Sequence, residues 1–254
     1  MGQVQLSIDG PLARVTLSHE GKFNAMSRAM WRELAATFRQ LPTQAGVRCV
    51  LIAGQGGHFC AGGDIAEYPA FRFDEAALRD FHENDVWGGL SAMLDCDLPI
   101  VAQIEGNCMG AGVEIASCCD IRVAAESARF GAPIARLGFP MAPREAQLVA
   151  REAGALTARE MLLQAAVLDA AEMKARGFLH TVLPDAQVAP EANARAVRIA
   201  GMAPQAARLN KQTMRSLLSG AIPQDLMQQA YRYADSTEHR EGIDAFLGKR
   251  TPVF

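Results

Sequence analysis

The sequence predicts an α/β fold with a helical C-terminal third. Strand-like and helix-like stretches alternate from the N-terminus to about residue 143, and two of the strand-to-helix junctions are crowded with glycine and alanine. Beyond residue 143 the pattern turns to capping boxes and to amphipathic stretches punctuated by proline. With 254 residues, 50% of them hydrophobic, the chain is long enough for one large domain or two modest ones.

In chain order, "VQLSIDG" and "LARVTLS" alternate apolar and polar residues around Asp9-Gly10-Pro11, a hairpin signal. Ser27 is a plausible N-cap for "RAMWRELAATFRQL", in which Met30, Leu34, Phe38 and Leu41 fall at helical spacing. "RCVLIAG" reads as a buried strand, followed by the glycine loop "GHFCAGGDIAE" and by a helical stretch after Asp74. "PIVAQIEG" is another strand; the second loop, "GNCMGAGVE", leads into a helix, and "CDIRVAA" closes this half as a strand. Next, "TARE" and "DAAE" both have capping-box form, and the stretches from 190, 204 and 222 read as helices broken at Pro190, Pro204 and Pro223.

The formal net charge of -3, without any run of Lys or Arg, leaves no electrostatic footprint for nucleic acid or an anionic membrane. The N-terminus has neither a basic n-region nor an apolar core, and Leu6 breaks the pattern expected after Gly2 for myristoylation. The expectation is a soluble, cytoplasmic protein. The six cysteines form no C-x-x-C pair and read as reduced, buried small hydrophobes, not as disulfide or zinc residues.

Glycine lets a ligand approach main-chain N–H groups, and a helix start offers N–H groups without intrahelical partners. Two such loops can hold one oxygen that becomes negative during a reaction; they can equally be tight turns, and the residues alone leave both readings open. Other glycine-loop chemistries fail in detail. The chain has no G-x-x-x-x-G-K-[ST] phosphate loop, no early G-x-G-x-x-G dinucleotide loop and no G-x-S-x-G nucleophile elbow.

Five segments, "HEGKFNAMS" (19–27), "GHFCAGGDIAE" (57–67), "QIEGNCMGAGVEIASCCDIRVAA" (103–125), "GFLHTVLP" (177–184) and "EGIDAFLGKRTPVF" (241–254), occur in the order and at the spacings of the crotonase superfamily. By these segments the chain resembles the enoyl-CoA hydratase/isomerase family along essentially its whole length. The resemblance implies a crotonase-like spiral of ββα units making two roughly perpendicular sheets. It divides the chain into a core at 1–195 and a C-terminal helical trimerisation region at 196–254, with trimers that commonly pair into hexamers. It implies an acyl-CoA thioester as substrate, with coenzyme A entering as part of that substrate and neither a separate cofactor nor a metal.

By motif position, the thioester carbonyl would be held between the backbone N–H groups of Gly63 and Ala111, and Glu114 matches one of two catalytic glutamates of the hydratases. Donors preset where an enolate oxygen forms are worth about 3 kcal/mol each in a dry site. The resemblance also places Lys22, Ala25, Ala61, Asp64 and Ile65 along the CoA moiety, and Phe246 and Lys249 against CoA in a neighbouring subunit. Asp64 would in addition cap the helix after its loop, while Asp120 is structural.

The chain departs from the family at the second glutamate. In "ARFGAPIARLGF" its place after Pro133 is taken by Ile134, which can neither hold water nor move a proton but remains part of the acyl pocket. Hydration, Δ3,Δ2-isomerisation and other crotonase-type lyase chemistry all stay open, as does a non-catalytic acyl-CoA-binding protein. Retention of an ionisable Glu114 in an apolar pocket argues against the last. Two further groups could reach the pocket. Glu145 suits a solvated first helical turn better than a catalytic role, and His82 is read as a surface histidine.

Overall fold

The computed structural model describes residues 1–218 and 222–254. Strands β1 (Gln3–Asp9) and β2 (Leu12–Ser18) form the expected antiparallel hairpin. They are followed by β3 (Cys49–Gly54), β4 (Ile100–Ile104), β5 (Asn107–Met109), β6 (Ile121–Ala125), β7 (Arg129–Gly131), β8 (Val167–Asp169) and β9 (Thr181–Leu183). A six-stranded sheet runs in the order β1-β2-β3-β4-β6-β9, parallel from β2 onward, and a second sheet of three short strands runs β5-β7-β8. The central strands are covered on both faces, which is why "CVLI" and "IVA" are continuous apolar runs and not alternating ones.

The chain steps repeatedly from the large sheet to the small one and then into a helix or helical turn. β4 passes to β5 and then to helix Ala111–Ser117; β6 passes to β7 and then to the turn Pro133–Leu137. After β3, Cys60 makes a single parallel bridge to Cys108 of β5 before the turn Ile65–Ala70. This is the expected spiral of ββα units, with one revision. "NCM", read from the sequence as loop, is a strand, because Cys108 is fully buried between Cys60 and the Phe130 register of β7.

Helix Arg28–Gln40 starts at Ser27, whose hydroxyl accepts from the Met30 N–H, and buries Met30, Trp31, Leu34, Ala35 and Phe38 on one face. Asp74 caps helix Glu75–Asp80 in the same way. "DAAE" is a complete capping box, Asp169 with Glu172, whereas "TARE" is not a start: Thr157 lies buried inside helix Ala155–Leu163. All six cysteines are free and buried.

Helix Asp185–Ala200 runs through Pro190 instead of breaking there. Val188, Ala192, Ala196 and Ala200 recur every four residues on the face against β3, β4 and β6, and burial of this stripe offsets the roughly 3 kcal/mol that an internal proline costs. The helix is continuous through residues 195 and 196. Helices Pro204–Leu218, Gln224–Gln229 and Thr237–Leu247 follow, tied back to the core by ion pairs Lys211–Asp120 at 2.8 Å and Arg215–Asp97 at 3.0 Å. Among the described residues, no helix is long and apolar enough to cross a membrane.

Candidate active site

Both glycine loops converge on one cavity of about 200 Å³. On the first loop, the Met26 N–H donates to the Gly62 carbonyl and the Asp64 N–H to the Met26 carbonyl, each at 2.8 Å. That is the bonding of a parallel bridge centred on Gly63, so the N–H of Gly63 itself points away from Met26, and Gly63 lines the cavity.

The second loop reaches the same place through Gly110, whose φ of 47° and ψ of -109° are accessible to glycine and strained for any residue with a Cβ. Its N–H is bonded to the Gly131 carbonyl at 2.8 Å, which anchors the loop on β7. Ala111 is then the first residue of helix Ala111–Ser117, where an N–H has no intrahelical acceptor. A Cβ on Gly112 would stand 2.6 Å from the Cys60 carbonyl oxygen, so only glycine lets the loops pack this closely.

Glu114, on the first turn of that helix, is 6% exposed and lines the cavity. Its carboxyl has no hydrogen-bond partner among the described residues. Burial, and secondarily the nearby Glu145, hold it well above the usual carboxylate range. Trp31, Phe81, Val86, Ile134 and Met141 give the same cavity an apolar lining.

The structure corrects the reading of Glu145 and His82. Glu145 lies on the first turn of helix Pro143–Ala153 but is only 3% exposed and lines the cavity with Glu114. A helical period does not say which way the first turn faces, and here that turn is folded inward. His82 sits in a π-helical turn, Phe81–Val86, with the Trp87 N–H bonded to the His82 carbonyl. Its Nδ1 is 2.8 Å from Glu145 Oε1 and its Nε2 is 3.3 Å from Arg72 Nη1. Arginine cannot accept, so Nε2 carries the lone pair and Nδ1–H donates to the carboxylate. Arg72, missed in the sequence, stacks 3.6 Å above the Phe139 ring and 4.5 Å above that of Tyr68; burial lowers its pKa. Tyr68 is itself pushed up to about 12 by burial.

Of the other expected site residues, Ala61, Ile65 and Ile134 line the cavity. Lys22 and Asp64 form an ion pair at 2.6 Å, and Asp64 also accepts from the Ala66 N–H, as a cap would. The Ala25 carbonyl is held by His19 Nδ1 at 2.7 Å. Phe246 and Lys249 are exposed at the C-terminal end of helix Thr237–Leu247 and its exit. His58 accepts the Asn107 N–H at 3.2 Å, a structural bond between the loops.

Residues 7–254 match the family model described as enoyl-CoA hydratase/isomerase. The chain belongs to the enoyl-CoA hydratase/isomerase family. It is 30% identical over 243 residues to a probable enoyl-CoA hydratase of Mycobacterium tuberculosis, covering 94% of this chain and 93% of that protein. It is 30% identical to the 2,3-dehydroadipyl-CoA hydratase of Escherichia coli, covering 100% and 99%. Among solved structures, an enoyl-CoA hydratase/carnithine racemase of Magnetospirillum magneticum superposes with a TM-score of 0.95 at 34% identity, covering 100% of this chain and 96% of that one. Family membership makes this an acyl-CoA enzyme of the hydratase/isomerase type with the crotonase fold.

Proposed function

We propose that the protein acts on an enoyl-CoA thioester, holding its carbonyl oxygen between the N–H groups of Gly63 and Ala111 and moving a proton at the adjacent carbon with Glu114. The observation that supports this reading is the meeting, in one cavity, of two loops that each leave a backbone N–H, of Gly63 and of Ala111, without a backbone acceptor and of a buried carboxyl without a partner. A carbonyl oxygen placed between the two donors gains most as it becomes an enolate, when each is worth about 3 kcal/mol. When protonated, Glu114 can give a proton to the enolate carbon and, once ionised, can take one back.

Water addition at the 2,3-double bond is the leading reaction. Proton shuttling between two carbons of one enolate, an isomerisation, is the second, favoured by the apolar Ile134 wall where a water-holding glutamate is absent. The CoA moiety would run past Ala61 and Ile65, with the backbone around Ala25 and the Lys22–Asp64 pair bordering its path. The exposed apolar residues Met214, Leu217, Met227, Ile243, Phe246 and Leu247 support a trimeric assembly through the C-terminal helices, bringing Phe246 and Lys249 to a neighbour's CoA.

The test is to supply short, medium, branched and cyclic 2-enoyl-CoAs, following mass gain of one water, and butyryl-CoA in D2O, following exchange at the carbon beside the thioester. Hydration or exchange that is lost in Glu114→Gln supports the reading. A wild-type protein that does neither overturns it.

A further inference from the structure

The geometry points to Glu145 as a second catalytic carboxylate, supplied by helix Pro143–Ala153 in place of the one missing at Ile134, with His82 and Arg72 as the residues that position it. This rests on the proposed reading of Glu114 and goes beyond it. Four observations support it. Glu145 is almost fully buried yet lines the same cavity as Glu114. Its Oε1 accepts one hydrogen bond, from His82 Nδ1 at 2.8 Å, which leaves Oε2 for a ligand or water in the cavity. His82 is in turn fixed by Arg72 at its other nitrogen, so the imidazole tautomer that donates to Glu145 is selected. Finally, Arg72 packs against both the Phe139 and Tyr68 rings, which restrains the chain of donors.

An apolar pocket has no structural need for two carboxyls, and burying a charge without function is costly. In water addition the division of labour follows from their surroundings. The Glu145 carboxylate takes a proton from water as the oxygen bonds to C3 and the double-bond electrons move into the thioester carbonyl. Glu114, protonated at this stage, then gives its proton to C2 as the carbonyl re-forms. Glu114 is left ionised and Glu145 protonated, and return of that proton from Glu145 to Glu114 resets the site.

The experiment compares hydration of the enoyl-CoA panel, crotonyl-CoA included, with D2O exchange of butyryl-CoA. The variants are Glu145→Gln, His82→Leu and His82→Asn, each checked for folding by circular dichroism. Exchange needs Glu114 and the two N–H groups; water addition needs Glu145 as well. The expected result is that Glu145→Gln lowers hydration by about 10²-fold or more and lowers the ratio of hydration to exchange at least about tenfold. His82→Leu moves the ratio the same way, and His82→Asn, whose amide N–H can replace Nδ1–H, restores much of it. If Glu145→Gln does not fold, the two His82 variants carry the test. Hydration by Glu145→Gln at the wild-type rate, or loss of both reactions in equal proportion, overturns the inference. So does a wild type that exchanges but hydrates nothing, an outcome that leaves Glu114 in its role. A wild type that does neither overturns the underlying reading together with this one.

Discussion

His82 and Glu145 are 63 positions apart in the chain and 2.8 Å apart in the fold. The bond joins a π-helical turn to the first turn of a helix that lies beyond both glycine loops in the chain, and both residues line the cavity with Gly63 and Ala111. Its consequence is a pocket with two carboxyls in which the family position at 134 is apolar.

Glu114→Gln keeps the shape of the side chain and removes its proton. Turnover of the identified substrate is expected to fall at least about 10²-fold while acyl-CoA binding persists. Steady-state kinetics beside calorimetric binding of a saturated acyl-CoA checks this; a glutamine variant as fast as wild type would move the base elsewhere.

The same substitution has a pH signature in stability. Because burial raises the folded-state pKa of Glu114 above the ordinary value of 4.5, the folded protein binds more protons than the unfolded chain once pH passes that value. Stability contributed by the neutral carboxyl is therefore complete below about 4.5 and is lost as pH rises towards the folded pKa. Urea unfolding of wild type and Glu114→Gln should show the two closest at acid pH, with the variant gaining relative stability as pH increases. A variant that loses relative stability with rising pH would contradict a raised Glu114 pKa.

Ile134→Glu places a third carboxyl against an apolar wall that packs on the core. With Glu145 already in the cavity, the substitution is expected not to raise hydration and to destabilise the protein by about 1–3 kcal/mol. A gain in hydration of tenfold or more would show instead that position 134 is where the second carboxylate is needed.

Gly112→Ala would bring a Cβ to 2.6 Å from the Cys60 carbonyl oxygen. Separating the loops by the missing distance costs about 1–3 kcal/mol and moves the Ala111 N–H relative to that of Gly63. Both the unfolding midpoint and kcat should fall, with kcat falling further than stability alone explains. A variant with unchanged kcat would argue that the spacing of the two donors is unimportant.

Assembly is open to direct measurement. The exposed apolar surface of the C-terminal helices is expected to be covered by further copies of the chain, so light scattering at micromolar concentration should return a trimer or twice that mass. A stable monomer would remove the neighbouring-subunit role proposed for Phe246 and Lys249.

The alternation of apolar runs, caps and glycine loops determined, without coordinates, that this chain is of the α/β class; the spiral of its units and the use of both glycine loops in one site were implied by the resemblance to the crotonase superfamily. Local rules suffice for the class: Ser27, Asp74 and Asp169 cap because their oxygens satisfy N–H groups two or three residues on, and β3 and β4 are buried because their runs are apolar throughout. The motifs were also enough to single out Gly63, Ala111 and Glu114, which the fold brings into one cavity. What only the tertiary structure decided is the direction in which non-local groups point. Thr157 has the look of a cap and is a buried helix residue, and Pro190 has the look of a break and lies within a helix held by its alanine face. Glu145 and His82 read singly as surface polar residues and Arg72 drew no reading, since nothing within a few positions of any of them signals the others. Their meeting depends on a π-helical turn and an inward-facing first helical turn, and both are selected by packing across the cavity, not by the residues next to them in the chain.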